Sequence, residues 1–378
     1  MSVASAGRTP RSSLSVDGAP FVLVGGAVAQ RPGRAGHAWV YLQWLLGLRS
    51  LGCQVAFVDR LQPGTTAAEL AWLSDVFAAH DIPVLLAGRD RIPRADLLLD
   101  VMGYADVDAD QRVFVDVDPG FGQLWAELGL HDPYGGYDSF VTVGTAITSP
   151  GCTVPTRGLD WIPTLPPVFL PQWPVAAGGP TWTTVGSWRG PFGPIEHQGV
   201  TYGLRVHEFR RLLGMPAVAQ VEIELALDID PADDADRRQL LAAGFRLADP
   251  AAVAGTLDGY RRHLQASAGE LCVAKNLYVA TRGGWFSDRS CCYLASGRPV
   301  VAQDTGWTAT LPAGTGLLAF TDAAEAAEAL SQVAAAPGRH ERAAREIAES
   351  YLASDVVLGG LLHRLGAAPV AAQQLARA

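Results

Sequence analysis

Phe21-Val-Leu-Val-Gly-Gly26 opens the stretch that decides the fold: it is a short apolar run that ends in two glycines. Such a run is typical of a buried parallel strand. After a polar loop, residues 37–51 carry apolar side chains at helical spacing, and Gly52 is suited to end that helix. Gln54-Val-Ala-Phe-Val-Asp59 then predicts a second strand. The stretch therefore predicts a β-α-β unit.

The same alternation of strands and helices continues along the chain. In the first half, the further strands are predicted over residues 83–87, 112–118 and 139–143, and a helix over residues 70–79. In the second half, strands are predicted over residues 183–187, 221–227, 271–274 and 299–302, and helices over residues 235–244, 288–296, 321–335 and 340–353. This alternation predicts the α/β class with parallel, doubly wound sheets.

Length and composition indicate two domains. The chain has 378 residues, of which 49% are hydrophobic and 18% charged, which is enough apolar material for two packed cores. Prolines, glycines and tryptophans crowd residues 150–194, as expected of a long linker. The predicted divisions are a disordered tail over 1–20, a first domain over 21–174, a second over 175–354, and a segment over 355–378 that crosses back to the first domain.

The charge balance restricts the classes of partner. The formal net charge is −9, which disfavours nonspecific binding to nucleic acid. No apolar run reaches the roughly 18–20 residues that span a bilayer. The five cysteines are odd in number and fit no metal spacing, as expected of reduced thiols. The predicted location is the cytoplasm, and the sequence leaves the oligomeric state open.

The loop after the first strand is a candidate ligand site. Such loops lie at the carboxyl edge of an open α/β sheet, where ligands bind. Gly25 and Gly26 would allow the backbone to approach an acceptor molecule or a phosphate closely. His37, near the start of the following helix, could take a proton from a hydroxyl group. Alternatively, His37 only satisfies a backbone carbonyl.

The segment from Gly36-His37 through Leu48-Arg-Ser-Leu-Gly52 to Val58 resembles the N-terminal signature of the GT-B glycosyltransferases. The resemblance implies two Rossmann-like domains that face each other across a cleft. It also implies a nucleotide-sugar donor bound between them, and it makes His37 the candidate catalytic base.

A second segment, from Gly284 to Gly306, is similar to the nucleotide-sugar-binding region of the same family. Its most specific parts are Leu294-Ala-Ser-Gly-Arg-Pro-Val-Val301 and Gln303-Asp-Thr-Gly306. The start of a helix offers free N–H groups to a diphosphate. The donor-binding residues predicted here, for the helix start, the phosphate and the sugar hydroxyls, are Ser287, Asp288, Arg289, Gln303, Asp304, Thr305 and Gly306.

One departure from the family pattern concerns two carboxylates. Many retaining members carry two glutamates that flank this helix, whereas Gly284 and Cys292 occupy those places here. The usual contact between a carboxylate and the ribose is therefore in doubt, and Asp288 is the candidate substitute.

Two further groups of residues follow strand ends. In GT-B proteins the first strand of the second domain often ends in small residues that meet the donor, and a later basic residue neutralises its phosphate. The resemblance therefore adds four donor-binding candidates, which are Gly186, Ser187, Arg189 and Lys275.

The acidic pair Asp116-Val-Asp118 has two interpretations besides that of turn caps. It could bind a divalent metal, or Asp118 could orient His37 as a catalytic partner. A second histidine, His207, is assigned to a structural helix, with a place in the cleft as the alternative.

The predicted function is sugar transfer from a nucleotide-diphosphate donor to a small-molecule acceptor. The predicted catalytic residues are His37 and Asp118, and neither a metal nor another cofactor is expected. Two alternatives stay open: a nucleotide-sugar epimerase with the same fold, and a non-catalytic relative that only binds a ligand.

Overall fold

Two parallel sheets form the frame of this computed structural model, which describes residues 18–190 and 192–367. The first sheet contains β1 (Phe21–Gly26), β2 (Gln54–Asp59), β3 (Val84–Leu86), β4 (Ala95–Val101), β5 (Ala109–Asp116), β6 (Ser139–Thr142) and β7 (Trp161–Pro163). Next in the chain come β8 (Trp182–Ser187) and a hairpin of β9 (Ile195–His197) and β10 (Val200–Tyr202). The second sheet is completed by β11 (Ile223–Asp228), β12 (Arg246–Leu247), β13 (Gly269–Cys272), β14 (Val300–Gln303) and β15 (Leu317–Phe320).

Both sheets have the same order in their first six strands, and β7 adds a seventh strand to the first sheet. The first runs β3-β2-β1-β4-β5-β6-β7, and the second runs β12-β11-β8-β13-β14-β15. Counted from the first strand of each sheet, both follow the order 3-2-1-4-5-6, which is the Rossmann order. All strand pairs in both sheets are parallel. The prediction of two Rossmann-like sheets is therefore confirmed.

Helices connect the strands. They are α1 (Ala35–Ser50), α2 (Ala67–Ala78), α3 (Phe121–Glu127), α4 (Arg205–Arg211), α5 (Met215–Ala219), α6 (Asp234–Ala242), α7 (Pro250–Ala254), α8 (Leu257–Gln265), α9 (Asn276–Thr281), α10 (Asp288–Ala295), α11 (Ala323–Ala335), α12 (Pro337–Ile347) and α13 (Ser354–Arg364). A π-helical turn, Ala348–Leu352, joins the last two. None of the described helices is long and apolar enough to cross a membrane.

Helix α1 is buried on most of its surface because α13 covers its outer side. A Cβ added at Gly47 of α1 would come within 2.6 Å of both Ser354 and Leu358 of α13. The Arg364 side chain donates a hydrogen bond to the carbonyl of Pro163 at the end of β7. Residues 354–364 thus pack on the first domain. Residues 1–17 and 368–378 of the predicted terminal segments lie outside the described residues, and the domain boundary at residue 175 stays a prediction.

Strand β4 is absent from the sequence-based prediction, although it lies at the centre of the first sheet. It pairs with β1 on one side and with β5 on the other. Its sequence, Ala95-Asp-Leu-Leu-Leu-Asp-Val101, places acids on both sides of only three leucines. Such a short apolar run between charges has the composition of a loop. In the structure, however, the Asp100 side chain is buried, at 0% exposure. The short strand β7 was missed as well.

Main-chain hydrogen bonds join the two domains along one side. The Ala146 amide donates to the carbonyl of Gly283 at 3.0 Å, and the Thr153 amide to that of Thr281 at 2.9 Å. Gly144 and Trp285 form an isolated antiparallel bridge in the same place. We refer to these contacts as the interdomain ladder. The domains are therefore fastened where β6 ends and where the chain approaches α10.

Candidate functional site

A large cavity lies between the two domains and has a volume of about 1420 Å³. The first domain contributes the loop after β1, the start of α1 and the loop after β5. The second domain contributes the ends of β8 and β11, the loop after β12, and the starts of α4, α9 and α10. All of these strand ends are carboxyl ends, where open α/β sheets bind ligands. We call this cavity the interdomain cleft.

His37 lines the interdomain cleft, as predicted, and the structure defines its protonation. Its Nε2 lies 3.0 Å from the carbonyl oxygen of Ala27, which can only accept a hydrogen bond. Nε2 therefore carries the proton, and Nδ1 is the atom with the free lone pair. Burial lowers the pKa of His37 to about 4, so the ring is neutral at physiological pH. The His37 ring also packs edge-on against Tyr41.

The loop that holds His37 is itself held by a buried carboxylate. Asp59, at the end of β2, accepts hydrogen bonds from the amides of Val28 and Ala29 at 2.8 and 2.9 Å. These amides immediately follow Ala27, whose carbonyl orients the imidazole. Burial raises the pKa of Asp59, whose other carboxylate oxygen has no hydrogen-bond partner among the described residues. Asp59 therefore positions His37 through the backbone.

Two arginines converge on the end of β8. A Cβ added at Gly186 would lie 2.4 Å from Nη1 of Arg205 and 3.8 Å from Nη1 of Arg289. Only glycine leaves room for this arrangement, because a larger residue would displace the Arg205 guanidinium. Gly186 and Ser187 both line the interdomain cleft, as predicted.

The two arginines differ in what they bind. Arg289 is buried and donates to Glu270 at 2.5 Å and to the Val185 carbonyl at 2.8 Å. Arg205 donates only to carbonyl oxygens, those of Val273 and Ser187. Within the described residues, no carboxylate pairs with Arg205 and no group accepts from its Nη2. Burial, together with the positive charge of the neighbouring Arg289, lowers the pKa of Arg205 to about 10. Arg205, in contrast to the predicted Arg289, is a cation available to an anionic ligand.

An ion pair spans the interdomain cleft. Nζ of Lys275 lies 2.7 and 2.9 Å from the two carboxylate oxygens of Asp118. The ammonium group also lies over the rings of Phe121 and Tyr278, at 4.6 and 5.1 Å from their centroids. Both charged residues line the cleft. The prediction that Asp118 orients His37 is wrong in this structure, because its carboxylate is bound by Lys275.

Ion pairs also occur on the side of the cleft where β11 ends. Arg34 of the first domain donates to Asp228 at 2.5 Å, and both side chains are about half exposed. Arg189 forms a two-pronged pair with Asp233, with both contacts at 2.6 Å. Arg189 therefore lines the cleft as predicted but already has a carboxylate partner. Arg31, which also lines the cleft, has no carboxylate partner among the described residues.

The predicted ligand contact by Gly25 and Gly26 is wrong. Both are buried, and neither is among the residues that line the interdomain cleft. A Cβ at Gly25 would lie 2.5 Å from Ala105, and one at Gly26 would lie 2.2 Å from the Tyr41 ring. These glycines are needed for close packing inside the first domain, and the cleft is lined by the loop that follows them.

The predicted sugar-binding group at the end of β14 is also displaced from the cleft. Gln303 donates to the buried Glu208 at 2.6 Å, and Thr305 donates to the Trp285 carbonyl. Asp304 pairs with Arg282 and accepts from the Gly306 amide. These four residues, Gln303, Asp304, Thr305 and Gly306, are not cleft-lining residues. They fasten the loop that precedes α10 to the second sheet.

The start of α10 reaches the interdomain cleft through two of the three predicted residues. Asp288 and Arg289 line the cleft, whereas Ser287 is buried behind them and makes no side-chain cap. The same cleft contains His37, so the two predicted halves of the site do face each other. Burial raises the pKa of Asp288, whose carboxylate receives no hydrogen bond from any other described residue.

The two places of the missing glutamates lie in the domain interface. A Cβ at Gly284, which has φ +79°, would lie 2.5 Å from the Ala146 amide nitrogen. The Cys292 thiol contacts the Asp288 carbonyl and the Gln43 amide at 3.4 and 3.5 Å. No side chain fits at Gly284, so the candidate site has no carboxylate at that position.

The remaining sequence candidates have structural partners. Asp116 accepts hydrogen bonds from Gln123 and Thr142 and is fully buried. His207 lies in α4 and accepts from the Leu204 amide, which caps that helix. Neither lines the interdomain cleft. Among the described residues, no group of three or more His, Cys, Asp or Glu side chains could hold a metal ion. The absence of a metal requirement stays a prediction.

Comparisons with known proteins bear on this arrangement through structure and not through sequence. No protein-family model matches the chain, and no curated protein matches it significantly in sequence. The Anabaena protein HepE, solved with UDP and glucose, has a TM-score of 0.55 and 12% identity over 92% of this chain and 99% of its own. An alpha-glucosyltransferase solved with UDP and a 13-mer DNA containing a HMU base has a TM-score of 0.59 and 12% identity over 92% and 99%. A glycosyltransferase from Rickettsia africae has a TM-score of 0.52 and 8% identity over 91% and 97%.

The likeness covers both domains and the cleft between them. The chain has the GT-B fold. The sequence-based prediction of this fold is therefore confirmed. Because one protein that shares the GT-B fold is solved with DNA, the expectation that nucleic acid is an improbable partner has no support from these comparisons.

Arg205 is the most important cleft residue that the sequence analysis missed. The hairpin of β9 and β10 separates it from Gly186 along the chain, so no spacing rule connects the two. Arg34 was missed for a similar reason, since its partner Asp228 belongs to the other domain. The local sequence offers only a weak indication of this contact, namely a glycine two residues before Arg205 and a glycine at the end of β8, Gly203 and Gly186.

Proposed function

We propose that this chain transfers a sugar from a nucleotide-diphosphate donor to a small acceptor with a hydroxyl group. The observation that carries the proposal is the shared interdomain cleft, in which a neutral imidazole of one domain faces a free guanidinium of the other. His37 has an available lone pair at Nδ1, and Arg205 has an available donor at Nη2. The solved proteins of the same fold that bind UDP support a uridine nucleotide as the first ligand to test.

In the proposed reaction, the acceptor hydroxyl attacks C1 of the donor sugar. The O–H bond breaks and its proton goes to Nδ1 of His37, while the new C1–O bond forms. The bond between C1 and the diphosphate oxygen breaks, and its electron pair stays on the leaving diphosphate. Arg205 stabilises that negative charge, since charge-assisted hydrogen bonds are the strongest type available. A single displacement of this kind inverts the configuration at C1.

The charge of the cleft favours a small acceptor over nucleic acid. Four of the seven Lys and Arg residues that line the cleft pair with carboxylates, as Arg34 does with Asp228 and Arg189 does with Asp233. A nucleic-acid groove needs a surplus of unpaired basic side chains. The cytoplasmic location and the metal independence predicted from the sequence remain part of this proposal.

The first experiment measures the binding of UDP. We expect UDP to raise the melting temperature, because a ligand that binds only the folded state stabilises it by about 2.7 kcal/mol at a hundredfold excess over Kd. A panel of UDP, dTDP and GDP, followed by the corresponding sugars, identifies the donor. Absence of a shift with every nucleotide diphosphate would overturn the proposal.

The second experiment tests the role of His37 with the donor identified by the first. We expect His37→Gln to lower the transfer rate by about a hundredfold or more, the usual contribution of a positioned base. His363→Gln is the matched control, because His363 is exposed on α13. Incubation with the nucleotide sugar alone distinguishes an epimerase, which would produce an isomeric nucleotide sugar instead of a glycoside.

A further inference from the structure

A second, smaller cavity of about 50 Å³ adjoins the interdomain cleft. Its walls include Trp39 and Trp44 of α1, Pro166 and Pro167 of the linker, and Trp285 and Phe286 just before α10. We call it the tryptophan chamber. Most of its lining belongs to the first domain, on which the proposed function places the acceptor. The walls are mostly apolar.

The tryptophan chamber borders the interdomain cleft. Four residues line both cavities, and we call this shared boundary the passage: Val40, Val117, Trp285 and Asp288. Val40 lies three residues after His37 on α1, which is about one helical turn. A molecule whose hydroxyl meets His37 can therefore extend a substituent into the tryptophan chamber.

Few polar groups of the tryptophan chamber are available to a ligand. The Gln43 side chain accepts from the Phe169 amide and donates to the Cys292 sulfur, so both ends of its amide are used. The Cys292 thiol contacts the Asp288 carbonyl. The Asp288 carboxylate, at the passage, receives no hydrogen bond from another residue in the described part of the chain. The chamber thus offers apolar walls and one hydrogen-bond acceptor at its entrance.

We propose that the tryptophan chamber is an acceptor subsite that takes a small apolar substituent, while Asp288 accepts a hydrogen bond from a polar group of the acceptor beside it. This inference rests on the proposed function. The volume corresponds to about four water-sized groups, at roughly 10–15 Å³ each. The substituent therefore has the size of a three- or four-carbon group. A whole sugar ring is too large for the chamber.

The test uses binding of a homologous series of alcohols to the intact protein in the presence of saturating UDP. Saturation-transfer NMR titrations give Kd for methanol, ethanol, 1-propanol, 1-butanol and 1-hexanol. We expect Kd to fall about fourfold with each added CH₂ group, from the usual contribution of a buried CH₂. The gain should stop near four carbons, when the tryptophan chamber is full. A Kd that does not depend on chain length overturns the inference and needs no variant to do so.

The variant Val40→Phe fills the passage. Val40 is half-buried at the cleft surface, so a larger ring there does not have to enter the core. We expect Val40→Phe to abolish the dependence on chain length and to leave Kd for UDP within twofold of the wild type. Val218→Phe is the matched control, because Val218 is exposed on α5. Retention of the full dependence in Val40→Phe overturns the inference.

A last experiment tests whether the group that enters the tryptophan chamber belongs to the acceptor or to the donor sugar. UDP-glucose is compared with the UDP derivative of 6-deoxyglucose, which carries a methyl group in place of CH₂OH. If the acceptor fills the chamber, we expect Val40→Phe to change Kd for both nucleotide sugars by the same factor. A selective loss of the 6-deoxy sugar assigns the tryptophan chamber to the donor and overturns the acceptor subsite. Failure of UDP itself to bind refutes the proposed function, whereas a normal UDP Kd with no alcohol dependence refutes only this inference.

Discussion

The carboxyl edges of the two sheets share the order of their first six strands but differ in the charged side chains that form hydrogen bonds at the strand ends. In the first domain, buried acids occupy the strand ends, as Asp59 does in β2 and Asp116 in β5, and each binds groups of its own domain. In the second domain, Arg205 and Arg289 surround the end of β8 and donate to carbonyl oxygens there. Burial raises the pKa of Asp116 to about 6 and lowers that of Arg205 to about 10.

The difference between the two edges shows that the same topology can serve two purposes, the shaping of loops and the binding of an anionic ligand. Carboxylates that accept several hydrogen bonds from their own loops are used to shape those loops, and they have little capacity left for a ligand. An arginine that donates to carbonyl oxygens keeps its positive charge uncompensated, because a carbonyl supplies no negative charge. An anionic ligand should therefore bind at the second edge, and a neutral hydroxyl compound at the first.

The largest expected effect concerns stability and tests the internal role of Arg289. We expect Arg289→Met to lower the free energy of unfolding by about 3–5 kcal/mol, because it leaves Glu270 buried without its partner. Urea denaturation measures this loss. Adding Glu270→Leu should recover much of it, since the buried charge is then removed as well. A loss under about 1 kcal/mol for Arg289→Met would show that the pair is not an internal one.

The next effect concerns binding and tests Arg205 as the available cation. We expect Arg205→Met to weaken UDP binding by about tenfold to a hundredfold, as expected from the 1.5–3 kcal/mol of a hydrogen bond to a charged group. Calorimetric titration gives the Kd. Arg237→Met is the control, because Arg237 lines the same cleft but is exposed. Equal losses in the two variants would mean that the edge as a whole, and not Arg205, attracts the anion.

A third effect tests the neutral imidazole of the first edge through pH. The pKa of His37 is about 4 in the folded protein and about 6.5 in the unfolded chain, so the unfolded chain binds more protons between these values. His37 therefore contributes stability that is present above pH 6.5 and is lost as pH falls toward 4. We expect the wild type to lose up to about 2 kcal/mol more than His37→Gln between pH 7.5 and pH 5.

Denaturant titrations at the two pH values measure this difference directly. Subtracting the variant from the wild type removes the opposite contribution of Asp100 and Asp116, whose pKa values burial raises to about 6. Identical pH dependence in the two proteins would show that the ring of His37 is not buried as a neutral group.

The smallest expected effect concerns the exposed ion pair that joins the two domains. Arg34 and Asp228 are 52% and 48% exposed, and surface pairs contribute about 0–1 kcal/mol. We expect Arg34→Ala to change the unfolding free energy by less than about 1 kcal/mol, and the change to vanish in high salt. A larger, salt-resistant loss in thermal denaturation would mean that this pair holds the domains together.

The sequence was sufficient for the fold and for about half of the site. Apolar runs located β1 and β2 with the observed bounds, because buried parallel strands need such runs. The acids that interrupt β4 hid that strand, since their burial depends on partners such as Tyr137 that lie far along the chain. His37 was located correctly because it stands directly after a strand and its loop.

The errors in the site have a common physical origin. A glycine can be required by a ligand or by packing, and the sequence of Gly25-Gly26 is the same in both cases. A charged residue can be available or already paired, and Arg289 and Asp118 each have a partner in another element. Partners of this kind depend on tertiary structure, which local patterns do not contain.

The interdomain ladder holds the two domains together along one side of the molecule. Because Gly144, Ala146 and Thr153 are joined by backbone contacts to residues 281–285, the two halves cannot part on that side without breaking several bonds at once. The Arg34–Asp228 pair, on the β11 side, is a single exposed contact. We therefore expect the cleft to open more readily beside the Arg34–Asp228 pair than beside the interdomain ladder.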